Sequence, residues 1–245
     1  MASSRSLPSK VAATGSREGR SLSRERILQA AIRLIDEGGL QALNMRELGR
    51  VLGTSTMAVY RHFHNKSDLL DEVIDSVVAQ FYPSGLEGCW QKKVQAICLR
   101  VRNGMLEHPE LADLIGRELR RSPTSFRVNA HIIEALDDSG VPAELLAQTY
   151  WAISSYTTGY ALLEAQVVRR HREVPASSSQ DDKVRKLSEM MESVEGISAR
   201  GLRLAPLVIS QQLDDAQFLF GLECFISGLE ARINGRPISN DHNDA

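Results

Sequence analysis

Apolar residues return every third or fourth position along most of the chain, and no segment alternates convincingly at every second one, so the sequence predicts helix after helix. Ile27, Ala30, Ala31, Leu34 and Ile35 form the first stripe, in a helix that starts near Ser23 and stops at Gly38-Gly39. Asn44 stands three residues before Glu47, the spacing of a capping box. Leu48, Val51 and Leu52 supply the buried side of the second helix, which Gly53 ends, and Thr54 is the expected cap of a short third helix through about His62. Asn65-Lys66-Ser67-Asp68 makes the next turn and cap. A fourth helix follows, burying Leu69, Leu70, Val73, Ile74, Val77 and Val78, and ends at Tyr82-Pro83.

The pattern then predicts helices from Trp90 to Leu106, from Glu110 to about Leu119, from Thr124 to Asp138, from Ala143 to about Arg170, over 183–195 and from Asp214 to about Ile233. Ser154, Ser155, Thr157, Thr158 and Gly159 place small side chains in the middle of the long one, which lets another helix approach closely. Residues 171–182 read as a polar loop. The expected fold is all-α: a small helical head over 22–82, whose last helix spans 66–82, and a larger helical part over 83–236. A flexible basic arm (1–21) and a tail (237–245) flank them, because neither has enough large apolar residues to order itself.

Composition narrows the function. No apolar run among the 245 residues approaches the roughly 20 needed to span a bilayer, and no signal-peptide pattern opens the chain. The three cysteines are scattered and form no CxxC pair, which predicts a reducing cytoplasm and neither a disulfide framework nor a zinc site. Net charge is −2, but residues 1–66 carry 11 Lys+Arg against 5 Asp+Glu, a net +6, and the remainder carries −8. A basic end on an acidic body points to nucleic acid at that end. No nucleophile elbow, zinc-protease, P-loop or dinucleotide motif is present, and the acid pairs 137–138, 181–182 and 214–215 fall near helix ends, so no enzyme and no catalytic residue is expected.

Two short helices joined by a turn at Gly53, from Asn44 to His62, have the form of a helix-turn-helix, whose second helix enters a major groove about 12 Å wide. With "RERILQAAIRLIDEGG" and "MRELGRVLGTSTMAVYRHFHNKSDLLDEV", residues 23–81 resemble the DNA-binding domain of the tetracycline repressor (TetR) family of bacterial regulators. "HPELADLIGREL", "YALLEAQ" and "FLFGLECFISGLEARI" extend the resemblance into the second part. It implies a homodimer that binds double-stranded operator DNA and encloses a small-molecule effector, usually acting as a repressor. A constitutive DNA binder without effector and an activator are the alternatives.

The resemblance also implies roles. Arg46 reaches a base edge or a phosphate, Thr56, Met57 and Ala58 face bases, Tyr60, His62 and Lys66 clamp phosphates, and Arg61 does either. Packing beside Phe63 for Tyr60, helix capping for His62 and core packing for Met57 remain open, while Val59 and Phe63 are core. The effector pocket is expected among the helices starting at Trp90, Glu110, Thr124 and Ala143, with Tyr82, Val101, Ile115, Tyr150 and Ser154 as candidates, or as ordinary core. Relatives that bind a magnesium–tetracycline complex use pocket histidines; ungapped matching puts Tyr82 and Ile115 there, so no metal, cofactor or tetracycline is expected. His108 and His131 read as structural. The dimer interface is expected on 143–170 and 214–233, with Ile153, Leu162, Leu163, Phe218, Leu222, Phe225 and Leu229 as candidates, although packing within one chain explains these equally well.

Overall fold

A computed structural model describes residues 22–81, 85–118, 122–173, 180–209 and 213–235; the expected arm, the tail and Tyr82 lie outside them. Every described element is helical: α1 (Arg24–Gly38), α2 (Met45–Val51), α3 (Thr56–Tyr60), α4 (Lys66–Val78) with a 3-10 turn (Ala79–Phe81), α5 (Trp90–Glu107), α6 (Ala112–Glu118), α7 (Pro123–Asp137), α8 (Ala143–Glu173), α9 (Gln180–Glu192), α10 (Ala199–Ile209) and α11 (Asp215–Ile233). Among these residues no helix is long and apolar enough to cross a membrane.

Side-chain caps set most of the starts. Ser23, Asn44, Ser55, Asn65, Ser122 and Asp214 each accept a hydrogen bond from a backbone N–H in the first turn, which satisfies a donor the helix itself cannot. Ser55 caps α3, one residue beyond the expected Thr54. The expected polar loop over 171–182 is shorter, since α8 continues to Glu173 and α9 begins at Gln180. Helix α10 is absent from the sequence pattern: Pro206 stands inside it, and proline there reads as a breaker.

Two apolar cores hold the molecule. The first joins Ile27, Ile35, Leu48, Val59, Phe63, Leu69, Val73 and Val77 of the head to Val101, Met105, Leu111 and Ile115 of α5, α6 and the turn between them. It therefore runs across the expected boundary at 82 without a break. Val51, expected inside, is exposed. The second core packs Val94, Ile97 and Cys98 of α5 against Ile132 and Leu136 of α7, Ile153 and Tyr160 of α8, and Phe218, Leu222 and Ile226 of α11.

Polar contacts cross from head to body. His108 Nδ1 lies 2.9 Å from Asp36 at the end of α1, Thr124 Oγ1 donates to Asp75 of α4 at 2.7 Å, and Arg100 donates to the Gln80 carbonyl at 2.9 Å. Phe81 seats against Gly104, where a Cβ would overlap its ring. Inside the body, Arg102 of α5 is 2% exposed, pairs with Glu164 of α8 and Asp215 of α11, and lies over the rings of Tyr160 and Phe218. Helices α9 and α10 pack on each other and leave Met190, Leu204 and Val208 exposed, as is Val194 between them.

Candidate functional site

The head presents α3 on a rigid base. Gly53 takes φ +64, the left-handed conformation that suits glycine at this turn. Thr54 N–H donates to the Gly49 carbonyl at 2.9 Å, folding the turn back onto α2. A Cβ at Gly49 would stand 3.1 Å from the Thr54 oxygen and 3.3 Å from the Thr56 nitrogen, so glycine lets the turn lie this close. We expect Gly49→Ala to push the turn outward by a few tenths of an ångström, an overpacking cost of about 1–3 kcal/mol set against the roughly 1 kcal/mol that alanine gains within a helix, read as a modestly lower unfolding midpoint with helix content retained at low temperature.

Arg24 supplies a brace that the sequence pattern does not reveal. Its guanidinium pairs with Glu72 of α4, donates to the His62 carbonyl at 2.7 Å and lies 4.5 Å from the centre of the Phe63 ring. It thus ties the start of α1 to the end of the α3 segment and to α4. Glu47, at the capping-box position, gives its carboxylate to Arg50 at 2.5–3.0 Å. That hydrogen bond holds Glu47 below the ordinary carboxylate range.

Seven of the eight expected DNA-contact residues are exposed or half-buried at the surface of the head. Met57 is 72% exposed, Tyr60, Arg46, Arg61 and Lys66 are exposed, and Thr56 at the start of α3 is half-buried. Lys66 Nζ stands 3.5 Å from the Leu40 carbonyl, a long contact that leaves its charge available. Tyr60 turns outward while Phe63 and Val59 are buried. His62 is half-buried, and its backbone N–H closes the segment on the Val59 carbonyl at 2.9 Å. Ala58 requires a correction. It is 5% exposed, because the single turn and a half of α3 places 58 and 59 together on the inner face. Its methyl group packs inside the head and does not face a base.

Concavities in the body include two between its described helices. The smaller, about 30 Å³, lies between α5, α6, α7 and α8 and is lined by Val101, Gly116, Val128, Asn129, Ile132, Tyr150, Ser154, Thr157 and Thr158. Three expected pocket residues, Val101, Tyr150 and Ser154, meet there. Ile115 does not: it is wholly buried in the first core, one residue from Gly116, and is corrected to a packing residue. The larger, about 510 Å³, is a groove between α8 and α11 lined by Leu145, Gln148, Thr149, Ile153, Cys224, Phe225 and Leu229, among others. Of the expected interface residues, Ile153, Phe218, Leu222 and Leu229 pack within the chain, because α8 and α11 turn them toward α5 and α7. Leu162 is partly buried against the first core. Leu163 and Phe225 face outward, together with Trp151, Val167 and Phe220.

Comparison with known proteins follows this division. Residues 27–73 match the family profile "Bacterial regulatory proteins, tetR family", and residues 82–233 match "Tetracyclin repressor-like, C-terminal domain". The chain is 26% identical over 232 residues to the HTH-type transcriptional repressor DrrR1 of Streptomyces coeruleorubidus, covering 91% of this chain and 84% of that one. It is 26% identical over 212 residues to the class C tetracycline repressor of Escherichia coli, covering 85% and 91%. Its fold superposes on the crystal structure of the TetR family protein ActR of Streptomyces coelicolor in complex with actinorhodin, with TM-score 0.70, 28% identity and coverage of 86% and 96%.

Proposed function

The chain belongs to the tetR family of bacterial regulatory proteins, and on that premise we propose that it is a cytoplasmic transcriptional repressor, not an enzyme, that grips a palindromic operator as a homodimer and is released by a small molecule. The observation that carries this reading is the outward set Arg46, Thr56, Met57, Tyr60, Arg61 and Lys66 on a braced, capped head. Arg46 reads a guanine edge, for which its paired donors suit O6 and N7. Thr56 and Met57 meet bases in the groove. Tyr60, His62 and Lys66 hold phosphates, which fix register without reading sequence. The domain boundary near 82 then separates a reading head from a ligand-binding and dimerising body.

The relatives' names support repression and effector binding: DrrR1 and the class C protein are named repressors, and ActR is crystallised with actinorhodin. Release is mechanical. Helix α4 carries Lys66 at one end and Asp75 near the other, and Asp75 takes its hydrogen bond from α7, a wall of the small cavity. A ligand that favours a different α7 position shifts α4 and moves the two recognition helices away from the 34–36 Å spacing of successive grooves.

The outward apolar residues of α8 and α11 support pairing through that face. Cysteine reactivity tests it. Cys98 is buried, and burial pushes its thiol up to about 11, so it stays inert. Cys89 and Cys224 are exposed in the single chain, and Cys224 lines the α8/α11 groove. A dimer through this face should leave Cys89 as the only fast thiol toward a disulfide reagent, with sedimentation at twice the 27.1 kDa chain mass. Two fast thiols on a dimer would place the interface elsewhere.

A further inference from the structure

Half of the net positive charge of residues 1–66 lies ahead of α1. Residues 1–21 hold Arg5, Lys10, Arg17 and Arg20 against Glu18 alone, a net +3 of the +6. The part nearest α1, Arg17-Glu18-Gly19-Arg20-Ser21, sets two arginines among small residues, and Thr14-Gly15-Ser16 precedes it. Glycine and serine make a thin chain that can approach a nucleic acid closely.

The root of this segment is fixed on the head. Leu22 packs against the first core, Ser23 Oγ accepts from the Arg26 N–H at 3.2 Å, and Arg24 donates to the His62 carbonyl at 2.7 Å. The chain therefore enters the head beside the end of the α3 segment, where Tyr60, His62 and Lys66 are assigned to phosphates. With α3 in the major groove, the DNA strand at that end separates it from the neighbouring minor groove. Extended chain covers roughly 3 Å per residue, so the backbone of Arg20 reaches about 9 Å from Ser23 and that of Arg17 about 18 Å. A minor groove is about 6 Å wide, and both arginines can cross the strand to reach it. Glu72, which α4 brings to the root, is paired with Arg24 and does not compete for them.

We propose that residues 17–21 lie in the minor groove flanking each half-site, with the Arg17 and Arg20 guanidinium groups inserted, and that they select a narrow, A·T-rich stretch there. This rests on the reading of the head as a DNA binder. Narrow A·T minor grooves carry an enhanced negative potential, and the arginine guanidinium, more weakly hydrated than an ammonium, gives up its water to enter them. A left-handed extended backbone of three residues per turn puts Arg17 and Arg20 on one edge and Glu18 on another. The major groove is then read by α3 and the width of the adjoining minor groove by the segment ahead of α1.

The test selects random duplex DNA in parallel with the full chain, with Arg17→Gln combined with Arg20→Gln, and with Arg17→Lys combined with Arg20→Lys. The palindrome enriched by the full chain is then titrated with each protein over a range of salt. The full chain is expected to enrich A·T pairs flanking each half-site. The glutamine variant should keep the palindrome, lose the flanking preference and bind at least about tenfold more weakly at about 100 mM salt, with a slope in log affinity against log salt flatter by about 4, since two cations per subunit are gone. The lysine variant should recover the slope without the flanking preference. Unfolding midpoints should agree, because both positions precede the first residue packed on the core. Unchanged affinity and slope in the glutamine variant overturn the proposal, as does tighter binding, which assigns the segment to covering the head. A flanking preference kept by the lysine variant overturns the arginine-specific groove reading. A palindrome absent from every pool overturns the DNA reading of the head itself.

Discussion

Replacing Arg102 by leucine is expected to lower the unfolding midpoint by about 6–20 °C, the equivalent of about 3–5 kcal/mol for breaking one side of a buried ion pair in a chain of this size. Arg102 reaches Glu164 through two hydrogen bonds of 2.6 and 2.7 Å, and Glu164 is itself 8% exposed. Burial works against the Arg102 charge, but the hydrogen bonds it donates to Glu164 and Asp215 outweigh it and hold the guanidinium protonated above its ordinary range. Leucine fills much of the space and leaves the Glu164 carboxylate without a partner. The Asp215 contact adds little, since that side chain is largely exposed and screened by water.

One control separates a stranded charge from lost packing. Arg102→Leu combined with Glu164→Leu should recover most of the deficit, because no buried charge remains. The cluster joins α5, α8 and α11, and Tyr160 strengthens the same junction by donating to the Asp214 carbonyl and accepting from its N–H, each at 3.1 Å. Loosening it should weaken dimerisation as well as folding.

Through the phosphate contacts of the head, operator affinity is expected to fall about 10²-fold when salt rises from 50 to 200 mM. Arg61 and Lys66 in each of two subunits neutralise about four phosphates, and counterion release then gives a slope of about −4 in log affinity against log salt. Lys66→Ala should lower affinity alike on all sequences and reduce that slope by about 2, because each subunit then neutralises one phosphate fewer. Arg46→Ala should instead relax preference at one base step in each half-site. A Lys66 variant selective for one step would contradict its phosphate role. The Lys66 contact to the Leu40 carbonyl is too long to explain such a weakening through folding.

The head is legible in the sequence because its signals are local. Caps at Asn44 and Asn65, the turn glycine and the apolar stripe of α1 all lie within a few residues of what they determine. The resemblance places Ala58 toward the bases, and a five-residue helix is too short for periodicity to correct its phase; its burial goes with the close packing of α3 on α2. Gly49 looks like an ordinary helix residue, and only the returning turn shows why it lacks a side chain. In the body, Val101, Tyr150 and Ser154 meet as expected, but Ile115 differs from Gly116 by one residue and by the direction it faces, which depends on how α6 meets α8. The Arg102 cluster spans 62 and 113 residues in sequence and leaves no local spacing to recognise. The inward turn of Ile153, Phe218, Leu222 and Leu229 is likewise set by α5 and α7 rather than by α8 and α11 alone.

The outward face of α3 and its neighbours is expected to read DNA as a symmetric pair. Selection of random duplex DNA by the purified full chain at low salt, with the bound pool sequenced, tests it most directly. The expected pool is an enriched palindrome whose half-sites are centred one or more helical turns apart, with preference relaxed at one base step of each half-site when Arg46 is replaced by alanine. A pool with no enrichment, or an enriched site without two-fold symmetry, would contradict it.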